Sequence, residues 1–166
     1  MVNSKAMKTH IFKTSLYSSH SIIVPNKIAQ YLIEEGHKRV IVEITFNTVS
    51  IQYHAALQKW KNNYHITFNK QNQKKLEVFP TDFFEVTLHE DTTKYGVEMP
   101  EEFDAVLQSD LEAFEIFESL TDGKKRSLIY YILKIKNSQS RIDKALIITE
   151  NLKRGIRDNK ELVKRI

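Results

Sequence analysis

Lys125, Arg126, Lys134, Lys136, Arg141 and Lys144 are the residues of this chain whose types and spacing come closest to chemistry. Guanidinium and ammonium groups a few residues apart on neighbouring helices can hold a phosphate or an acidic partner. Arg141 falls in the first turn of a helical stretch, where free N–H groups also attract anions. A competing reading makes the same cations structural partners of the acidic stretch before them. A second set is aromatic. Tyr53, Trp60, Tyr64 and Phe68 are interleaved with Lys59, Lys61, Lys70, Lys74 and Lys75, a composition that suits stacking of single-stranded nucleic acid. Tyr64 and Phe68 share a strand face with Ile66, which assigns them to a core. Trp60, between two lysines, is left as the candidate aromatic contact.

Catalytic constellations are harder to assemble. His10, His20, His37, His54, His65 and His89 are scattered singly, and none forms an i, i+4 pair. The chain has no cysteine, hence no disulfide, thiolate nucleophile or cysteine-based metal site. No serine sits in a nucleophile elbow. Only 4 glycines are available, too few to build a phosphate-cradling loop. Glu101 and Glu102 are neighbours on a helix and point to different sides, so they match a helix dipole better than they share a proton. The expectation is a protein that is not an enzyme and carries no cofactor or metal.

At 166 residues the chain can bury a core without staples. Its formal net charge is +4, but the charge is blocked. Residues 1–80 carry +7, residues 81–122 carry −12 and residues 123–166 carry +9. Blocks of alternating sign suit segments that attract one another. The opening residues show no continuous apolar run of the signal-peptide kind, and no window reaches the length of a membrane span. A cytoplasmic protein without membrane insertion is expected.

The elements that must position these residues read as two halves. In the first, Ile22, Ile23 and Val24 make a short strand ending at Pro25. Ile28, Tyr31 and Leu32 lie on one face of a helix that Asn26 could cap and Gly36 stops. Val40, Val42 and Ile44 alternate along a strand, Asn47-Thr48 is a turn, and Val49, Ile51 and Tyr53 resume the alternation. Tyr64, Ile66 and Phe68 follow, then a short polar helix, then Phe84, Val86 and Leu88. Several short strands with a helix suggest a small barrel, because closure removes exposed edges.

The second half is helical. Pro100 suits a helix start and Phe103, Val106 and Leu107 form its stripe. Asp110 caps the next helix, with Leu111, Phe114, Phe117 and Leu120 inward, and Asp122-Gly123 breaks it. A third helix runs from about 124 to 137, with Leu128, Tyr131, Ile132 and Ile135 facing inward. Ser138 could cap a fourth carrying Ile142, Ala145, Leu146, Thr149 and Leu152, ended by Gly155. The last segment reads as a frayed short helix or a tail.

Two resemblances rest on these residues. "IIVPNKIAQYL", "KRVIVEITFNTVSIQYHAAL", "HITFNKQNQKKL" and "VTLHED", with Asn69, Lys70, Lys74 or Lys75 and Leu76, resemble a small barrel domain of unknown function that often precedes a YdeI/OmpD-associated region. That family usually has Gly-Asp where this chain has Thr81-Asp82. The resemblance covers about residues 9–92 and implies a double-split β-barrel of AbrB-like architecture. Pro100-Glu101-Glu102, Ala105, Leu107, Phe117, Leu120, Lys125 or Arg126, Ile132, Lys136 and Ser140-Arg141-x-x-Lys144 resemble the YdeI/OmpD-associated, or bacteriocin-protection, family of bacteria. That family more often shows Thr-Arg-x-x-Arg at the last motif and Ala-Lys where Ile135-Lys136 stands.

The expectation is therefore an α+β chain, with a small double-split (AbrB-like) β-barrel over 1–95 and a three- to four-helix bundle over 96–166. The resemblance implies a soluble binding protein with a protein or peptide partner and a role in bacteriocin or envelope-stress protection. Its anion or partner site would comprise Lys125, Arg126, Lys136, Arg141 and Lys144. The alternative is a nucleic-acid-binding protein that uses basic segments of the barrel, with Trp60, and of the C-terminal helices. Oligomeric state and ligand are left open.

Overall fold

A computed structural model describes residues 8–166. The chain divides into two compact units, one ending at Thr92 and the other running from Thr93 to Ile166.

The first unit holds strands β1 (Thr9–Thr14), β2 (Ser21–Val24), β3 (Arg39–Phe46), β4 (Val49–Ala56), β5 (Gln58–Trp60), β6 (Asn63–Thr67) and β7 (Phe84–Glu90). Two helices, α1 (Asn26–Glu34) and α2 (Lys70–Leu76), complete it. The strands form a four-stranded sheet, in the order β1-β7-β3-β4, and a three-stranded sheet, in the order β2-β6-β5. Every ladder is antiparallel. Alternation does what the sequence pattern demands. Val40, Val42 and Ile44 of β3 and Phe84, Val86 and Leu88 of β7 are buried in one core with Ile22, Val24, Ile66 and Phe68.

The sheets do not close into the expected barrel. No ladder joins β1 or β4 to β2 or β5, so each sheet keeps two edges. The physical reason lies in strand length. β2 has 4 residues and β5 has 3, which leaves few backbone groups for a closing ladder. β5 lies outside the alternating pattern, with all of its residues exposed.

Local signals are mostly obeyed. Asn47 (φ 47°) and Thr48 (φ 70°) make a two-residue turn, joining the paired residues Phe46 and Val49. Positive φ at both central residues matches the twist of the flanking strands. Gly36 (φ 89°) ends α1 in a Schellman motif, its N–H bonding the Ile33 carbonyl while the His37 N–H bonds that of Leu32. Pro25, not Asn26, occupies the position before α1, and no side chain caps that helix. Asn69 caps α2 by accepting from the Asn72 N–H.

The second unit holds helices α3 (Glu101–Gln108), α4 (Leu111–Ser119), α5 (Asp122–Leu133), α6 (Ser138–Lys153) and α7 (Asn159–Leu162). They share a core of Phe103, Leu107, Phe117, Leu128, Ile129, Ile132, Ala145, Ile148, Leu152 and Leu162. Asp110 caps α4 as expected, accepting from the Ala113 N–H.

Several expectations are corrected here. Asp122-Gly123 does not break a helix; it opens α5, because Thr121 caps it by accepting from the Lys124 N–H. Asn137, not Ser138, caps α6. The last segment is not frayed. Asp158 caps α7, Leu162 is fully buried, and Asn151 donates its side-chain N–H groups to the carbonyls of Leu162 (2.9 Å) and Lys164 (2.8 Å). Leu111, Tyr131 and Leu146, assigned to apolar stripes, are exposed. The buried face of α5 runs through Leu128, Ile129 and Ile132, one position round from the expected stripe.

Candidate functional site

Short helices leave many unpaired carbonyls at their C-terminal ends, and in the helical unit long basic side chains fill them. Lys125 Nζ donates to the Glu118 carbonyl in the last turn of α4 (3.3 Å). Arg141 Nε and Nη2 donate to the carbonyls of Ile135 (2.6 Å) and Leu133 (3.2 Å) at the end of α5. Arg157 Nη1 donates to the carbonyls of Leu152 and Ile156 at the end of α6, both at 2.8 Å. Lys144 Nζ donates to the Val163 carbonyl after α7 (2.7 Å). Each cation also meets the negative end of a helix dipole there.

The five cations singled out from the sequence therefore do not converge. Lys125 stands in the first turn of α5 and serves the end of α4, whereas Arg141 serves the C-terminal end of α5, roughly 12 Å away by the rise per residue. Lys125 is buried and its ammonium lies 5.8 Å from the Tyr95 ring centroid. Lys144 lies a turn beyond Arg141 on α6, 5.7 Å from the Tyr131 ring centroid. Arg126 and Lys136 make no hydrogen bond or ion pair among the described residues, and Lys136 is exposed.

Acidic and basic blocks do meet within this unit. Arg141 Nη1 lies 3.5 Å from Glu102, and Lys153 Nζ lies 2.8 Å from Asp110. The Glu102 carboxyl is held below its ordinary value, first by its own backbone N–H and then by the Ser138 hydroxyl and Arg141. Asp110 is likewise lowered, by the hydrogen bond from Lys153 and by the Ala113 N–H. Lys94 lies 3.5 Å from Glu118, which also accepts from the Tyr95 hydroxyl. Burial, helped by that bond, pushes the Tyr95 hydroxyl up.

With these cations engaged, two grooves flank α3. One, of about 400 Å³, is walled by Ala105, Val106 and Ile142 and edged by Glu101, Glu102, Ser109 and Ser138. The other, of about 570 Å³, combines Tyr95, Val97 and Met99 with Glu98, Glu101, Asp104 and Lys94. Glu98, Glu101 and Asp104 have no cation within ion-pair distance among the described residues. The −12 block signals the acidity of these grooves in the sequence, but not their shape.

In the β unit, Tyr53 and Phe68 are not a platform. The Tyr53 hydroxyl donates to the Thr67 carbonyl (2.6 Å), and Phe68 is fully buried against Phe84. Trp60 is 60% exposed on β5. The sequence did not single out the histidine–carboxylate pairs of the four-stranded sheet. His54 Nδ1 lies 2.7 Å from Asp91 and His89 Nε2 lies 3.1 Å from Glu43. Both histidines pair in register with Ile41, so they face outward in one row. Separation by a strand keeps them apart, and no three potential metal ligands converge among the described residues.

Part of the helical unit has a counterpart among known families. Residues 96–155 match the family model described as Bacteriocin-protection, YdeI or OmpD-Associated. The match covers about a third of the chain and leaves the β unit outside it. No curated protein and no solved structure matches the chain.

Proposed function

We propose that this chain is a non-enzymatic cytoplasmic binding protein of the YdeI/OmpD-associated type, whose helical unit receives a basic peptide segment of a partner and so serves a protective role. One observation carries the reading. Within the matched segment, three of the five candidate cations, Lys125, Arg141 and Lys144, are bonded to main-chain carbonyls, which leaves Arg126 and Lys136 apart from one another and without a converging partner. The segment also presents a pair of grooves along α3, with apolar residues on their walls and Glu98, Glu101 and Asp104 at their rims, beside a single cation, Lys94. Apolar walls with carboxylate rims complement a peptide that alternates apolar and basic residues, by charge and by buried area.

Calorimetric titration of the full chain with a basic amphipathic peptide, and with its Glu-substituted counterpart, tests this. The basic peptide should bind and the acidic one should not, and Glu101→Lys together with Asp104→Lys should weaken binding at least tenfold. Equal affinity for both peptides, or indifference to the double reversal, would sink the proposal. Recovery of partners from lysate with and without nuclease gives a second reading: loss of every partner on nuclease treatment would favour nucleic acid instead.

A further inference from the structure

The outward face of the three-stranded sheet carries a group of rings that the core does not use. β6 pairs with β5 through His65↔Gln58 and Asn63↔Trp60, and with β2 through His65↔Ile23. Strand alternation puts Trp60, His65 and Ile23 on the side opposite the buried Ile22, Val24 and Ile66. The His65 ring sits between two others, 6.1 Å from Trp60 and 5.2 Å from Tyr17 by centroids. Trp60 and Tyr17 are 60% and 54% exposed, while His65 is only 7% exposed. His65 Nε2 has no hydrogen-bond partner. A buried ring nitrogen left unpaired is unfavourable, so the site keeps a polar atom that a ligand edge can satisfy if either flanking ring turns aside.

The charge around these rings has one sign. Between Gln58 and Lys75 stand Lys59, Lys61, Lys70, Lys74 and Lys75 and no carboxylate. Lys61 lies in the β5–β6 turn with its ammonium 4.8 Å from the Trp60 ring centroid, while Lys59, paired with Tyr64, belongs to the other face of the sheet. The Asn26 side chain reaches the Asn62 carbonyl (3.5 Å), which brings the exposed Lys27 to the same end of the sheet. A ligand fitting this surface has flat rings to stack and negative charges spaced along a flexible backbone.

We propose that the outer face of the β2-β6-β5 sheet binds single-stranded nucleic acid, with bases stacked on Trp60 and Tyr17 and phosphates held by Lys61 and Lys27. The proposal concerns the β unit and is independent of the peptide reading of the helical unit. Stacking tolerates any base, so little sequence preference is expected. Two lysines give affinity of the non-specific kind that falls with salt.

Fluorescence anisotropy of a labelled oligothymidylate with the full chain tests it, with Trp60 quenching as a second signal. The dissociation constant should be on the order of 10 μM near 50 mM salt. Trp60→Ala should weaken binding roughly tenfold, and Trp60→Tyr should restore most of it. Lys61→Gln should reduce the salt dependence. Trp60 is exposed on a short edge strand, so its variants should keep the parent's thermal midpoint. An abasic strand or a duplex binding as well as the oligothymidylate would overturn the proposal. So would an unchanged affinity in Trp60→Ala, or no binding by the parent chain. Binding of a neutral oligosaccharide that Trp60→Ala abolishes would replace it with a sugar platform.

Discussion

The two units satisfy their backbone polar groups by different means, and the difference decides which side chains are free to act. In the β unit, ladders between β3, β4 and β7 pair the backbone with itself. Its lysines are then left at the surface, where Lys59 and Lys61 lie over aromatic rings. In the helical unit, helices of 4 to 16 residues expose many terminal carbonyls. Lys125, Arg141, Lys144 and Arg157 are used up on them. A cluster of basic residues therefore means opposite things in the two halves: an available surface in one, structural closure in the other.

The largest effect expected from breaking this contrast is at Asn151. Asn151 is 2% exposed, and its amide holds α7 through the carbonyls of Leu162 and Lys164. Asn151→Leu leaves those acceptors unpaired and should cost about 2–4 kcal/mol in urea unfolding followed by far-ultraviolet circular dichroism. Arg141→Met keeps the aliphatic stem but drops the bonds to Leu133 and Ile135, and should cost about 1–3 kcal/mol. A loss below about 0.5 kcal/mol at Arg141 would show that its cation is spare, and the anion-site reading would return.

A smaller effect follows from acid. Glu102 and Asp110 are lowered from ordinary values of 4.5 and 3.8. A depressed carboxyl adds stability above its unfolded pKa, and loses it as pH falls through the folded one. Thermal midpoints should thus drop below about pH 4, and Glu102→Gln should flatten part of that drop. The same slope in parent and variant would remove Glu102 from the account.

Much of the core was legible because it depends on period alone. Val40, Val42 and Ile44, or Phe84, Val86 and Leu88, need only alternation to find one face. Gly36 and Gly155 were legible because positive φ after a helix favours glycine. Sheet closure was not legible, since it depends on pairing between strands far apart in sequence. Nor was the exposure of Leu111, Tyr131 and Leu146, because a one-residue change of phase on a short helix moves a residue from stripe to flank. The role of Arg141 left one faint signal: a basic residue in the first turn after a short loop can reach back to the helix it has just left.

The smallest effect concerns the β3–β4 turn and tests whether the β unit is limited by local strain instead of by unpaired groups. Asn47 tolerates the left-handed region, but Thr48 at φ 70° is β-branched and does not. Replacing it with glycine removes a clash worth about 1–2 kcal/mol, while the added freedom of the unfolded chain takes back about 0.5–1 kcal/mol. Thr48→Gly should therefore stabilise by about 0.5–1 kcal/mol. Trp60 fluorescence can follow it, since the chain's single tryptophan lies in this unit. Thr48→Ala retains a Cβ and should gain less than glycine. If alanine gains as much, the strain comes from branching and not from the left-handed backbone. If glycine destabilises, the turn is not strained and the contrast between the units loses its local half.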